Sequence, residues 1–136
     1  MSIGTLQPQG TALSLRQTFT KAAQYYPVVL NTLDVSAMDR LQARCGHENV
    51  VPRDAAFYND HFAQNQTAIG MVDKQGQLVA HALIRNHGTE TKMLNVLVDP
   101  AHRGQGLHKR MIEDWLDAAA QEGFTSATAR VRLSAV

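Results

Sequence analysis

Arg103-Gly104-Gln105-Gly106 separates a strand-like run ending in Val98-Asp99-Pro100 from a helix-like run beginning at Leu107. Glycine lets a backbone approach a ligand closely and take conformations closed to other residues. The first amides of a helix lack intrahelical partners and carry the positive end of its dipole. A glycine turn that opens a helix is therefore suited to phosphate, and Arg103 adds a cation beside it. Two other phosphate loops do not fit. A Walker loop ends in Gly-Lys-Ser/Thr, and none follows. A dinucleotide fingerprint needs a third glycine where Lys109 stands, and follows an early strand of a parallel sheet rather than a meander.

The elements around this turn follow from periodicity. Residues 1–12 are punctuated by Gly4, Pro8 and Gly10, and residues 13–26 have near-helical spacing that Pro27 stops. Val28–Leu30 is expected to be a short strand. Ser36 and Asp39 have capping-box spacing and open a helix that Gly46 ends; Pro52 opens a second helix through Tyr58 and Phe62. The period then shifts to two: strands over 67–72, 77–85 and 89–98, with turns at Asp73–Gly76 and His87-Gly88. Leu107, Met111, Ile112, Trp115, Leu116 and Ala119 form an apolar stripe, with Lys109, Arg110, Glu113, Asp114 and Asp117 on the other side. Gly123 stops that helix, and alternation over 125–133 makes a last strand, parallel to 89–98 through a right-handed crossover. The expected class is α/β (α+β), with a mixed, mainly antiparallel twisted sheet flanked by helices. Residues 1–27 form an N-terminal extension and 28–136 the domain.

The chain has 136 residues, 44% hydrophobic and 18% charged, which suits one soluble domain. A net charge of +1 argues against nucleic acid, which is bound through clustered Lys and Arg. No apolar run approaches the roughly 20 residues of a membrane span, and no signal peptide is legible. The expected location is the cytoplasm. The lone Cys45 excludes an internal disulfide and reads as a small core residue. The six histidines show no His-x-x-x-His spacing, so no metal is expected.

The run from Leu94 to Arg110 resembles the GNAT superfamily of acyl-CoA N-acyltransferases, whose signature is a strand ending Val-x-Pro, then Gln/Arg-x-x-Gly-x-Gly/Ala, then an amphipathic helix. Val98-Asp99-Pro100 and Gly104-Gln105-Gly106 match it, and Arg103 stands where many members have arginine. Ala101 replaces the first Gln or Arg, and His108 stands where many members have glycine. Both departures change side chains more than backbone amides. The resemblance covers roughly 28–133. It implies that acetyl-CoA is the co-substrate, with its pyrophosphate on the amides of Arg103, Gly104, Gln105, Gly106, Leu107, His108 and Lys109. Its pantetheine arm would lie along Val96, Leu97 and Val98. It also implies a strand bulge, expected near Asn95.

The implied reaction is attack of a primary amine, on a small molecule or a protein, at the thioester carbonyl. It needs a base, an oxyanion donor and an acid. The donor would be the amide of Val96 or Leu97. Glu90, at the start of the strand leading to the turn, is the favoured base through water. His81 and His87 are alternatives, and His108 reads as a cofactor-side residue. His61 and Tyr58 either line an acceptor pocket or pack; Trp115 belongs to the core stripe. Relatives continue with another helix and two strands, and that helix often carries a tyrosine acid. The given sequence stops at Val136, inside or just after the strand 125–133, so the fold reads as C-terminally short, and no tyrosine follows Tyr58 to serve as that acid. Three explanations stand: a truncated sequence, a homodimer in which a second copy covers the open edge, or an N-terminal extension that fills it. Beside the transferase reading stand a non-catalytic acyl-CoA-binding or regulatory module and a partner-dependent fragment.

Overall fold

The computed structural model describes residues 24–46 and 53–130. In chain order these form β1 (Tyr26–Leu30), a 3-10 turn (Thr32–Asp34), α1 (Val35–Cys45) and α2 (Ala55–Ala63). β2 (Thr67–Val72), β3 (Leu78–His87) and β4 (Glu90–Val98) follow. A second 3-10 turn (Pro100–His102), α3 (Leu107–Gln121) and β5 (Ser126–Ala129) complete it. The strands make one sheet in the order β1-β2-β3-β4-β5, antiparallel from β1 to β4, with β5 parallel to β4. This is the expected mixed, mainly antiparallel sheet flanked by helices.

Alternation along the strands builds a core on each face. On one face Ile69, Ala82, Met93, Val96 and Val98 pack against Leu107, Met111, Trp115 and Ala118 of α3. On the other, Leu30, Ala68, Leu83 and Leu97 meet Met38, Leu41 and Cys45 of α1 and Tyr58 of α2. The buried indole of Trp115 donates from Nε1 to Thr91 Oγ1 at 3.1 Å, so its one polar atom is satisfied inside the core. Among the described residues no helix is long and apolar enough to cross a membrane.

Several local expectations are corrected. Pro27 does not stop a helix; it lies within β1, an edge strand, where a missing amide is tolerated. Residues 13–23 lie outside the described residues, as do Pro52 and 131–133. The sheet also starts before residue 28: β1 begins at Tyr26, and Tyr25 is buried. The capping box is Asn31 with Asp34, not Ser36 with Asp39. Asn31 Oδ1 accepts from the Leu33 amide at 2.8 Å, and Asp34 Oδ2 accepts from the Asn31 amide at 2.9 Å. The cap therefore acts on the 3-10 turn that runs into α1, and Ser36 falls inside the helix. α2 is capped by Asp54, whose Oδ1 accepts from the Phe57 amide at 2.9 Å. The buried stripe of α3 is rotated from the expected one: Leu116 is 43% exposed, while Arg110 and Asp114 are buried. Arg110 Nη1 donates to the carbonyl of Tyr25, the residue before β1, at 3.1 Å.

Gly70 in β2 has no room for a side chain. A Cβ there would lie 2.9 Å from Ala80 O and 2.8 Å from Leu78 Cδ1. Leu78 can turn away, but the β3 carbonyl is fixed by the sheet. Gly70→Ala should therefore lose about 1–3 kcal/mol of stability, read as a lower urea midpoint with an unchanged slope.

Candidate functional site

The glycine turn hangs from the end of β4, and Asp99 fixes how it leaves. The Asp99 amide donates to Val79 O at 2.8 Å, which keeps β4 on β3 to its last residue. Asp99 Oδ1 accepts from the Ala101 amide at 3.0 Å, and Oδ2 accepts from Arg44 Nε on α1 at 2.7 Å. The Arg44 Nη2 donates to Leu78 O at 2.7 Å, so one guanidinium ties the end of α1 to both β3 and the loop. On the other side of the 3-10 turn, Tyr25 Oη lies 2.8 Å from His102 Nδ1. Burial raises the Asp99 carboxyl, but the Ala101 amide, Arg44 and the more distant His102 outweigh it and hold it below the ordinary value of 3.8.

Beyond this anchored turn, Gly104 and Gly106 take φ of 77° and 80°. A Cβ at either would meet no protein atom within 4 Å, so the demand for glycine within the chain is conformational. Gly106 caps α3, and the first helical bond runs from the Arg110 amide to Gly106 O at 3.0 Å. The amides of Leu107, His108 and Lys109 precede it and have no helical partner, and the 15-residue helix aligns its dipole behind them. Arg103 Nε and Nη2 donate to Val98 O at 3.1 and 3.0 Å, so its cation is held beside the turn by the strand end. Burial lowers the His108 imidazole, which favours its neutral form there.

β4 carries the expected bulge. Leu97 pairs with His81 and Leu94 with Leu83, so Asn95 and Val96 together oppose Ala82. Asn95 takes φ 52°, a left-handed conformation that asparagine tolerates better than most residues. On the opposite edge, β5 pairs only with Glu90–Met93, and the Arg130 amide closes the ladder onto Met93 O at 2.9 Å. Among the described residues, no strand covers Leu94–Val98 on that side. β4 thus leads from Val96, Leu97 and Val98 through Asp99 and the 3-10 turn into Arg103–Lys109 along one stretch of chain.

It does not bring Glu90 to them. Glu90 begins β4, five residues before Asn95 and about 16 Å along the strand. Its carboxylate lies 3.4 Å from Lys92 Nζ, and both side chains are about half exposed. His87 is exposed opposite it. His81 is wholly buried, which pushes it down to about 3 and makes it a weak proton acceptor. His61 is buried with Nε2 2.7 Å from Thr67 O, a packing role. The Cys45 thiol is also buried, donating to Val98 O at 3.6 Å. A groove of about 320 Å³ opens by β1 and α1, lined by Val29, Leu30, Asp34, Arg40 and Gln77 among others, apart from the turn. Sequence reasoning missed the Arg44–Asp99 pair, whose partners are 55 residues apart, and the grouping of Gln42, Tyr58, His81 and Asn95 under the bulge.

The sequence profile of the acetyltransferase (GNAT) family matches residues 35–135. The chain belongs to this family. Solved GNAT relatives share its fold. A ribosomal-protein-S18-alanine N-acetyltransferase from Escherichia coli superposes with a TM-score of 0.70 at 21% identity, over 81% of this chain and 68% of that one. A ribosomal-protein-alanine N-acetyltransferase from Brucella melitensis gives 0.68 at 16% identity, over 80% and 81%. A predicted acetyltransferase from Clostridium acetobutylicum, solved with acetyl-CoA, gives 0.63 at 14% identity, over 82% and 83%. A comparison with curated proteins finds no match by sequence.

The Asp99 anchor makes stability depend on pH. A carboxyl held below its unfolded value contributes fully above about pH 4 and loses that contribution as pH falls through its folded value. Urea unfolding of wild type and Asp99→Asn should therefore show a wild-type advantage at pH 7 that shrinks below about pH 4. An advantage that stayed constant to pH 2.5 would remove the carboxylate from this role.

Proposed function

We propose that this GNAT chain is an N-acetyltransferase that passes the acetyl group of acetyl-CoA to a primary amine. The observation that carries the reading is a β4 edge that loses its described ladder partner after the bulge and runs into a glycine turn opening α3. The amides of Arg103–Lys109 would take the pyrophosphate, with Arg103 as a neighbouring cation. Val96–Val98 would pair with the pantetheine arm along the edge that no described strand covers. The thioester would then lie at the bulge, where the Val96 or Leu97 amide faces the developing oxyanion.

The chemistry balances without a covalent enzyme intermediate. The neutral amine nitrogen forms a bond to the carbonyl carbon, the C–S bond breaks, and the thiolate takes up a proton. The proton lost from the ammonium goes to a base. We assign that base to Glu90, through water, because its exposed position and distance from the bulge suit a relay rather than contact. The pyrophosphate and pantetheine contacts are made by backbone, so Ala101 and His108, which depart from the usual motif, leave them intact.

The test is release of free CoA thiol from acetyl-CoA over a panel of amines. A peptide with N-terminal alanine leads the panel, because two solved relatives act on a ribosomal-protein alanine. Wild type should release thiol with at least one amine, and Gly104→Asp, which sets a negative charge at the turn, should abolish release. Glu90→Gln should lower kcat at least about tenfold with little change in acetyl-CoA affinity, and should remove the acidic limb of the pH–rate profile. Saturable acetyl-CoA binding without thiol release from any amine would instead establish a non-catalytic acyl-CoA module. An unaltered pH–rate profile in Glu90→Gln would remove Glu90 as the base.

A further inference from the structure

Beneath the bulge lies a polar cluster drawn from four elements. Asn95 Nδ2 on β4 donates to Tyr58 Oη on α2 at 3.1 Å and lies 3.3 Å from His81 Nε2 on β3. The Tyr58 hydroxyl in turn donates to Gln42 Oε1 on α1 at 3.1 Å, and its oxygen lies 3.4 Å from His81 Nε2. Gln42, Tyr58 and His81 are buried. Since the phenol proton goes to Gln42, the two protons of the Asn95 amide are left for Tyr58 Oη and His81 Nε2. With that sharing His81 Nε2 accepts and its own proton sits on Nδ1, a buried atom with no hydrogen-bond partner among the described residues. Burial also keeps both rings in their neutral forms: it pushes His81 far down and raises the Tyr58 phenol.

What the cluster grips is the one non-glycine residue of β4 in the left-handed region. A bulge residue with φ near 50° has no ladder partner to hold it, so its orientation must come from its side chain. We infer that Gln42, Tyr58 and His81 are positioning residues: they clamp the Asn95 carboxamide and so fix the direction of the Val96 and Leu97 amides. The inference rests on the transferase reading for its kinetic consequence, and on the bulge geometry alone for its structural one. No group of the cluster exchanges a proton with substrate. It sets where the oxyanion donor points, so its loss weakens the transition state more than the bound acetyl-CoA.

A double-mutant cycle tests this. Tyr58→Phe keeps the ring and removes only the phenol oxygen, while Asn95→Gly keeps the φ accessible and removes the gripped side chain. Tyr58→Phe should lower kcat about three- to tenfold, the worth of one hydrogen bond, with KM for acetyl-CoA within about twofold. In the Asn95→Gly background, Tyr58→Phe should add nothing further. Equal losses in both backgrounds, or an unchanged kcat, would overturn the inference. Gln42→Met, which removes only the acceptor of the phenol, is the second variant should Tyr58→Phe not fold, and should act in the same direction. If wild type turns over no amine, the transferase reading fails by itself. The same cycle is then read from the ¹⁵N–¹H resonances of Val96 and Leu97. They should move in Tyr58→Phe and show no added change in the double variant; resonances that stay put would reject the clamp.

Discussion

Asn95 adds one residue to β4 at the point where the strand passes from one task to another. Before it, Glu90–Met93 hold two ladders, to β3 and to β5. After it, Val96–Val98 keep β3 and have no described strand on their other edge. A backbone edge without a ladder is costly when buried from water and is a ready template for another extended chain. Both the register of the sheet and the exit direction of the glycine turn follow from this change. A regular β4 would place Val98 one residue out of phase, and its side chain would leave the α3 face for the α1 face.

The turn itself depends on anchors that come from far away in the chain. Asp99 is held by Arg44 from the end of α1, His102 meets Tyr25 ahead of β1, and Arg103 folds back on Val98. Three sides of a short loop are thus fixed before α3 begins. The first amides of α3, which lack helical partners, then start from an anchored turn. The two cores divide the labour in the same way. α3 packs on one face and aims its N-terminus; α1 and α2 pack on the other and reach the bulge from below.

Much of this was legible in the sequence, because it is encoded locally. The period-two run 67–72 became β2 with the same bounds, the Asp73–Gly76 turn closed as expected, and the residues Val98–Gly106 identified both strand end and turn. A bulge was expected near Asn95, and Asn95 with Val96 forms it. What could not be read was set by distant contacts. Arg110 looks like a solvent-facing charge on α3 until the Tyr25 carbonyl is found to accept from it. Pro27 looks like a helix stop until its strand proves to be an edge. Asn31-Asp34 and Ser36-Asp39 are equally good caps by spacing, and only the path from β1 into α1 chooses between them. The cluster under the bulge joins positions 42, 58, 81 and 95, each unremarkable alone.

The central claim is that the backbone from the bulge to the start of α3 is the acyl-CoA surface. The most direct measurement is a titration of ¹⁵N-labelled protein with acetyl-CoA, followed amide by amide. Saturable shifts are expected to be largest at Gly104–Lys109, next largest at Val96–Val98, and small in β1 and β2. Shifts centred on the groove between β1 and α1, or no saturable shift in a folded chain, would contradict it.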